Sequence, residues 1–219
     1  RAEIAAVLNR TANPEERKKV TVKTVREAFY LIDDMTMTQT VRNIEYLRSG
    51  WNYENRFDSG VNVSNKTTAT LADSSDKGYV SINRAFEAQN SGTLTFETSV
   101  ALAGAKNGAR VYFENSDGKN VLELYTKDGE FHIKGKSDVN TGLAVKNTTY
   151  FFKLCIDLDT NEGTFICDGA KICTFSLSDD YTDMSKLYYS TTKENILVMM
   201  PKLCRIYMNY PVNEDFASG

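Results

Sequence analysis

The sequence predicts an all-β fold: a two-sheet antiparallel β-sandwich of jelly-roll type, preceded by a short N-terminal helix. Three observations carry that prediction. Apolar residues alternate at period 2 through most of the chain, the pattern of strands with one buried face. Gly, Asp and Asn clusters recur between these segments, where hairpins reverse. Beyond the first dozen residues almost nothing repeats at helical spacing, so stacked sheets are the way to bury the apolar faces.

In chain order, Arg1 to Arg10 place Ile4, Val7 and Leu8 on one helical face. Asn13-Pro14 ends that helix, because the residue before proline is pushed out of the α region. The charged run at 15–19 reads as a solvated linker, so residues 1–24 form an arm and 25–219 the sandwich. An opening with a helix already under way reads as part of a longer polypeptide. Val25 to Ile32 is the first strand, closed by Asp33-Asp34. Asp33 to Asn65 reads as a long irregular loop carrying Trp51, Tyr53 and Phe57, and long ordered loops often serve function.

Alternation then becomes clear. Val80, Ile82 and Phe86 share a face in one strand, and Leu94, Phe96, Val100 and Leu102 share one in the next. Val111 with Phe113, Leu122 with Leu124, and Phe131 with Ile133 continue the series. Ser116-Asp117-Gly118 and Lys127-Asp128-Gly129 are the turns between them. From 151 to 177 the text FFKLCIDLDTNEGTFICDGAKICTFSL writes three strands. Phe152, Leu154, Ile156 and Leu158 lie on the buried parity, with reversals at Asn161-Glu162-Gly163 and Asp168-Gly169. Tyr188 to Met200 and Leu203 to Tyr210 supply the last strands.

Composition limits function. A formal charge of -3 gives no sequence-wide reason to bind nucleic acid. No apolar run approaches the ~18 residues a spanning helix requires, and the N-terminus lacks the continuous apolar core of a signal peptide. Cys155, Cys167, Cys173 and Cys204 do not have zinc-site spacing, and a single histidine adds little. By parity Cys167, Cys173 and Cys204 face the core, where free thiols pack as small hydrophobes; disulfides are the alternative in an oxidising compartment.

Two resemblances follow from quoted residues. RAEIAAVLNR resembles the end of an S-layer homology repeat, which implies a parent protein tethered at a bacterial cell surface. From about Val25 to Phe216 the chain resembles laminin G-like and concanavalin A-like jelly rolls. Its carriers are the opening strand ending in LIDD, the segment YFFKLCIDLDTNEGTFICDGAKIC and the closing segment CRIYMNYPVNEDF. The resemblance implies that the opening and closing strands lie side by side, with Phe29 to Ile32 next to Arg205 to Met208. It also implies structural Ca2+ held by oxygen ligands near Asp33, Asp34 and Asp215; turn capping by these aspartates is the alternative.

Three constellations could carry chemistry. Arg110, Tyr112 and Glu114 share a parity, as do Glu123 with Tyr125 and His132 with Lys134. Neighbouring strands would gather them on one sheet face. Aromatics there would stack on pyranose rings while polar groups bond hydroxyls. The same set also resembles in kind the face of jelly-roll polysaccharide lyases, where Tyr or His removes a proton beside a uronate carboxylate and a basic residue neutralises it. An ordinary half-exposed sheet reads identically. Second, Trp51, Tyr53 and Arg56 would form a stacking platform at the rim, or Trp51 would be a buried plug. The third is the Asp33, Asp34 and Asp215 set.

A retaining-glycosidase pair needs carboxylates about 5 to 5.5 Å apart on one face. Asp157 to Glu162 starts with the wrong residue and runs into a turn. No triad, Walker loop or dinucleotide fingerprint follows any strand. The expectation is a carbohydrate-binding or accessory module in a secreted, wall-attached modular bacterial protein, beside neighbouring domains of the same polypeptide. A lyase on uronate glycans and a structural spacer or protein-binding domain are the alternatives.

Overall fold

In the computed structural model the described residues are 25–33, 51–56, 70–74, 77–193 and 196–211, with 25–33, 53, 55, 56 and 209–211 described by backbone course alone. Every regular element among them is a β-strand. The first seven are β1 (Val25–Asp33), β2 (Trp51–Arg56), β3 (Leu71–Asp73), β4 (Tyr79–Gln89), β5 (Thr93–Gly104), β6 (Arg110–Glu114) and β7 (Asn120–Lys127). The remainder are β8 (Glu130–Lys134), β9 (Asp138–Ala144), β10 (Thr149–Asp157), β11 (Glu162–Cys167), β12 (Ala170–Ser176), β13 (Met184–Ser190) and β14 (Leu197–Pro211). The expected helix and linker at 1–24 lie outside the described residues.

The strands form two seven-stranded sheets, and apart from Val25, Arg26 and Pro211 their residues fall within one compact unit, Glu27–Tyr210. Sheet one runs β1-β14-β5-β10-β11-β12, with β3 also on β14; sheet two runs β2-β4-β13-β6-β7-β8-β9. β1 neighbours β14, as the resemblance implied for the opening and closing strands. Phe152, Leu154, Ile156 and Leu158 are all buried, which bears out the parity read in the sequence. They meet sheet two through ring contacts: Phe152 lies 5.2 Å from Phe131, and Phe96 meets Phe113 edge-on at 5.1 Å. Buried Thr98 and Tyr189 bond across the same interior, oxygen to oxygen at 2.7 Å, which satisfies both hydroxyls.

Turn chemistry fixes the register. At Asp128-Gly129 (φ 53° and 78°) and Asp168-Gly169 (φ 49° and 82°) both central residues are left-handed, the two-residue hairpin that matches strand twist. Gly163 differs from the expectation. It lies within β11 opposite Phe175, and a Cβ there would sit 2.3 Å from the Phe175 ring, so its missing side chain makes room for the aromatic.

Other departures have physical causes. The stretch expected to be an irregular loop contains β2, whose mixed polar sequence hides an edge strand paired to β4. Tyr188 to Met200 is not one strand. Ser190 ends β13 in sheet two and Leu197 opens β14 in sheet one, so the chain changes sheets between them. Within β14 the pairing with β5 slips between Pro201 and Leu203, where proline has no N–H to donate to a regular ladder. β9 escapes the sequence reading because it is an edge strand with one half-covered face and one exposed.

The cysteines are free thiols. Cys167 and Cys204 are buried, while Cys173 packs partly buried against the core. Burial, with Asp168 beside it, pushes the Cys167 thiol up to about 12.

Candidate functional site

Register in sheet two builds a polar outer face from alternate positions. Val111, Leu124 and Ile133 point to the core, so Arg110, Tyr125 and His132, which lie opposite one another on β6, β7 and β8, point outward. Tyr112 lies between Tyr188 on β13 and Glu123 on β7. The expected convergence of Arg110, Tyr112, Tyr125 and His132 on one sheet face is therefore present.

A four-layer stack stands on this face. The rings of Tyr112 and Tyr188 are nearly parallel, 4.4 Å apart at 6°. Arg110 holds its guanidinium 4.7 Å from the Tyr112 centroid and makes a close ion pair through Nε to Glu123 Oε1 on the opposite side from Tyr188. Lys186 Nζ lies 4.8 Å from the Tyr188 centroid. Because each tyrosine already has a ring on one face, the cations take the other faces. Each tyrosine ring is thus flanked by its partner ring and by a cation.

Burial and the bonds around the stack set its protonation. Burial alone would lower Arg110, but the bond and charge of Glu123 outweigh it and hold the guanidinium above its ordinary value. Burial raises Tyr112 well above the usual phenol range, and burial with the Glu114 contact does the same for Tyr188. Both therefore stay neutral; the Tyr188 hydroxyl is engaged with Glu114.

A second cluster ties the edge strand to the face. Asp138 on β9 accepts from the Tyr125 hydroxyl at 2.6 Å and contacts His132 Nδ1 at 3.2 Å. Burial pushes the Asp138 carboxyl up, yet these two bonds together outweigh it and leave it below the carboxylate range. Burial and the Asp138 bond raise Tyr125. His132 is 8% exposed and its Nε2 is buried with no partner.

Beside the stack lies a depression of about 830 Å³. Tyr79, Arg110, Tyr112 and Tyr125 wall it, Ser190 and Thr191 lie at its base side, and Lys127 and Lys193 stand on its rim. Tyr79 donates to Glu54 Oε1 at 2.8 Å, fixing another wall. The sequence reading missed Tyr79, Lys186 and Tyr188. Period-2 parity through Met184–Ser190 carried the signal for Lys186 and Tyr188, but joining Tyr188 to the following strand concealed it.

The remaining expected residues fall elsewhere. Trp51 belongs to β2 rather than a loop; it is 6% exposed and packs 5.9 Å from Tyr189, so it is a core residue and no rim platform. The register sets Tyr53 opposite Ile82 and Arg56 opposite Tyr79. Asp33 ends β1, whereas Asp34 and Asp215 lie outside the described residues. Glu162 is the register partner of Asp157 at the turn end of the β10–β11 hairpin. Asp157 Oδ1 accepts from the Asp159 and Thr160 amides, so this carboxylate caps the turn.

No family model matches the chain, and no curated protein matches it. Among solved structures, a sialidase superposes with a TM-score of 0.60 at 14% identity over 76% of this chain; this chain spans only 17% of that one. Lectin II from Ulex europaeus gives 0.56 at 10% identity over 84% of this chain and 100% of the lectin. The Emp47p carbohydrate recognition domain gives 0.54 at 10% identity over 82% and 97%. At such identities the likeness is one of fold, the jelly roll of concanavalin A-like and legume lectin-like domains.

Proposed function

We propose that this chain is a non-catalytic carbohydrate-binding module whose ligand lies on the outer face of sheet two. The observation that carries the reading is the Arg110–Tyr112–Tyr188–Lys186 stack beside the 830 Å³ depression. There neutral phenols, amides and charged groups are held in place before any ligand arrives, which lowers the ordering cost of binding. The lectin and the carbohydrate recognition domain that share the fold agree with this reading. Secretion and attachment to a bacterial wall belong to the same proposal and rest on the resemblance at Arg1 to Arg10. Structural Ca2+ at Asp33, Asp34 and Asp215 rests on the jelly-roll resemblance.

A lyase on this face that used a tyrosine as its base would need one that readily gives up its proton. Tyr112, Tyr125 and Tyr188 are all shifted the opposite way, which disfavours proton abstraction by a tyrosine here.

Native affinity electrophoresis in gels containing plant, fungal and mucosal polysaccharides, followed by a glycan array, tests the reading. Retardation by at least one glycan is expected. Tyr112→Ala should weaken it about tenfold or more, equivalent to ~1.4 kcal/mol. Lys171→Ala on sheet one should change nothing. No retardation and a blank array would overturn the proposal.

A further inference from the structure

The polar face extends well beyond the depression. One cross-strand row runs from Asn83 on β4 through Tyr188, Tyr112, Glu123 and Lys134 to Asp138 on β9. A neighbouring row runs Ser190, Arg110, Tyr125, His132 and Asn140. Six consecutive strands thus contribute to a band about 24 Å long, taking about 4.8 Å per strand. Lys134, Asp138 and Asn140 lie outside the lining of the depression, so the band is not a rim around one point.

Its groups are also fixed in advance. Asn83, Glu123, His132 and Ser190 are buried although they occupy outward register positions, and so form the floor of the band. Tyr125, His132 and Asp138 are bonded together, and Asn140 donates to Glu130 at 2.6 Å.

Charge along the band is balanced strand by strand. Arg110 is paired with Glu123, Lys186 lies opposite Glu114, and Lys134 lies opposite Asp138. At the depression Lys127 and Lys193 are matched in number by Asp128 and Glu54. A ligand meeting such a surface gains little from carrying charge of either sign.

Resting on the carbohydrate-binding reading above, we propose that the band is a track for the interior of a linear, uncharged polysaccharide laid across the strands, rather than a socket for one terminal or anionic sugar. Successive sugars bond the groups the band leaves accessible, Arg110, Tyr112, Tyr125, Lys134, Asp138 and Asn140. Ring stacking contributes little, since the faces of Tyr112 and Tyr188 are already covered.

The test is calorimetric titration of the intact chain with xylo-, manno- and cello-oligosaccharides of one to six units, and with galacturonate oligomers of the same lengths. The expected result is affinity for a neutral series that rises about tenfold or more from the disaccharide to the pentasaccharide and changes little with added salt. Lys134→Ala should cost the hexasaccharide more than the disaccharide. A monosaccharide binding as tightly as the hexasaccharide, or salt-sensitive preference for the galacturonate series, would overturn the track while leaving the carbohydrate-binding reading intact. Binding confined to terminal sugars of branched glycans on the array would do the same. Failure of every oligomer together with a blank array would overturn both.

Discussion

The Arg110–Glu123 pair should be the anchor of the stacked face, and a double-mutant cycle measures it. Glu123 has a side chain 10% exposed and that of Arg110 is 30% exposed, so the pair is sheltered but not sealed. Glu123 also accepts from Asn120 Nδ2 at 3.2 Å. A charge-assisted bond in such a setting contributes about 1.5–3 kcal/mol, more than an exposed surface pair would. Glu123→Ala, Arg110→Ala and the double variant should therefore yield a coupling energy of about 2 kcal/mol by urea denaturation. Each single variant should melt several degrees lower, at roughly 2–4 °C per kcal/mol for a chain of this size. Arg110→Ala also loses the contact with Tyr112, about 0.5–1 kcal/mol, but that loss cancels in the cycle. The coupling should survive about 1 M salt in large part, as partly buried pairs are weakly screened. A coupling below about 0.5 kcal/mol, or one abolished by salt, would refute the view that Glu123 holds Arg110 over Tyr112.

Three further outcomes follow from other parts of the molecule. Gly163→Ala should destabilise by about 1–3 kcal/mol, because its Cβ would lie 2.3 Å from the Phe175 ring, and Phe175→Leu in the same chain should recover part of the loss in thermal melts. Asp138 has a folded pKa below its unfolded value, so its contribution is present above the ordinary Asp range near 3.9 and is lost as pH falls through the folded value. Urea midpoints of the parent should accordingly fall more steeply below about pH 4 than those of Asp138→Asn, which should begin lower at neutral pH. A thiol reagent at about pH 8 should leave Cys167 and Cys204 unmodified until denaturant is added, since both are buried and the Cys167 thiol is pushed up to about 12; mass spectrometry of the labelled peptides reads this directly.

Strands and turns were legible where one physical signal dominated. β10 alternates strictly, because one face meets the core, and Asp-Gly pairs announce turns whose left-handed backbone few residues adopt. β2 was illegible because an edge strand needs only one partner, and its residues between Trp51 and Arg56 are mostly polar. The end of β13 was illegible for the opposite reason. Strand-like residues continue past Ser190, and only the need to cover a second sheet breaks them into two strands. In the site, parity alone brought Arg110, Tyr112, Tyr125 and His132 together, but parity is blind to which strand lies beside which. The crossover that inserts β13 between β4 and β6 is what brings Tyr188 against Tyr112.

That insertion determines the chemistry of the face. Without Tyr188, Tyr112 would be a lone ring able to lie against a sugar, the arrangement its position in the sequence suggests. With it, two rings 4.4 Å apart close each other's faces and a cation closes each outer side. On the proposed reading, contact with a ligand passes from ring faces to the Tyr112 hydroxyl, which burial keeps protonated, while Tyr188 is buried and its hydroxyl bonds Glu114. Hydrogen bonds are directional where stacking is tolerant, so selectivity should follow the orientation of sugar hydroxyls rather than the presence of any flat sugar face. Tyr112→Phe then separates the two modes. It preserves the ring stack and removes one donor, so it should lower glycan affinity nearly as far as Tyr112→Ala while leaving the melting temperature close to that of the parent. Glycan affinity unchanged in Tyr112→Phe would mean that the ring, and not its hydroxyl, makes the contact.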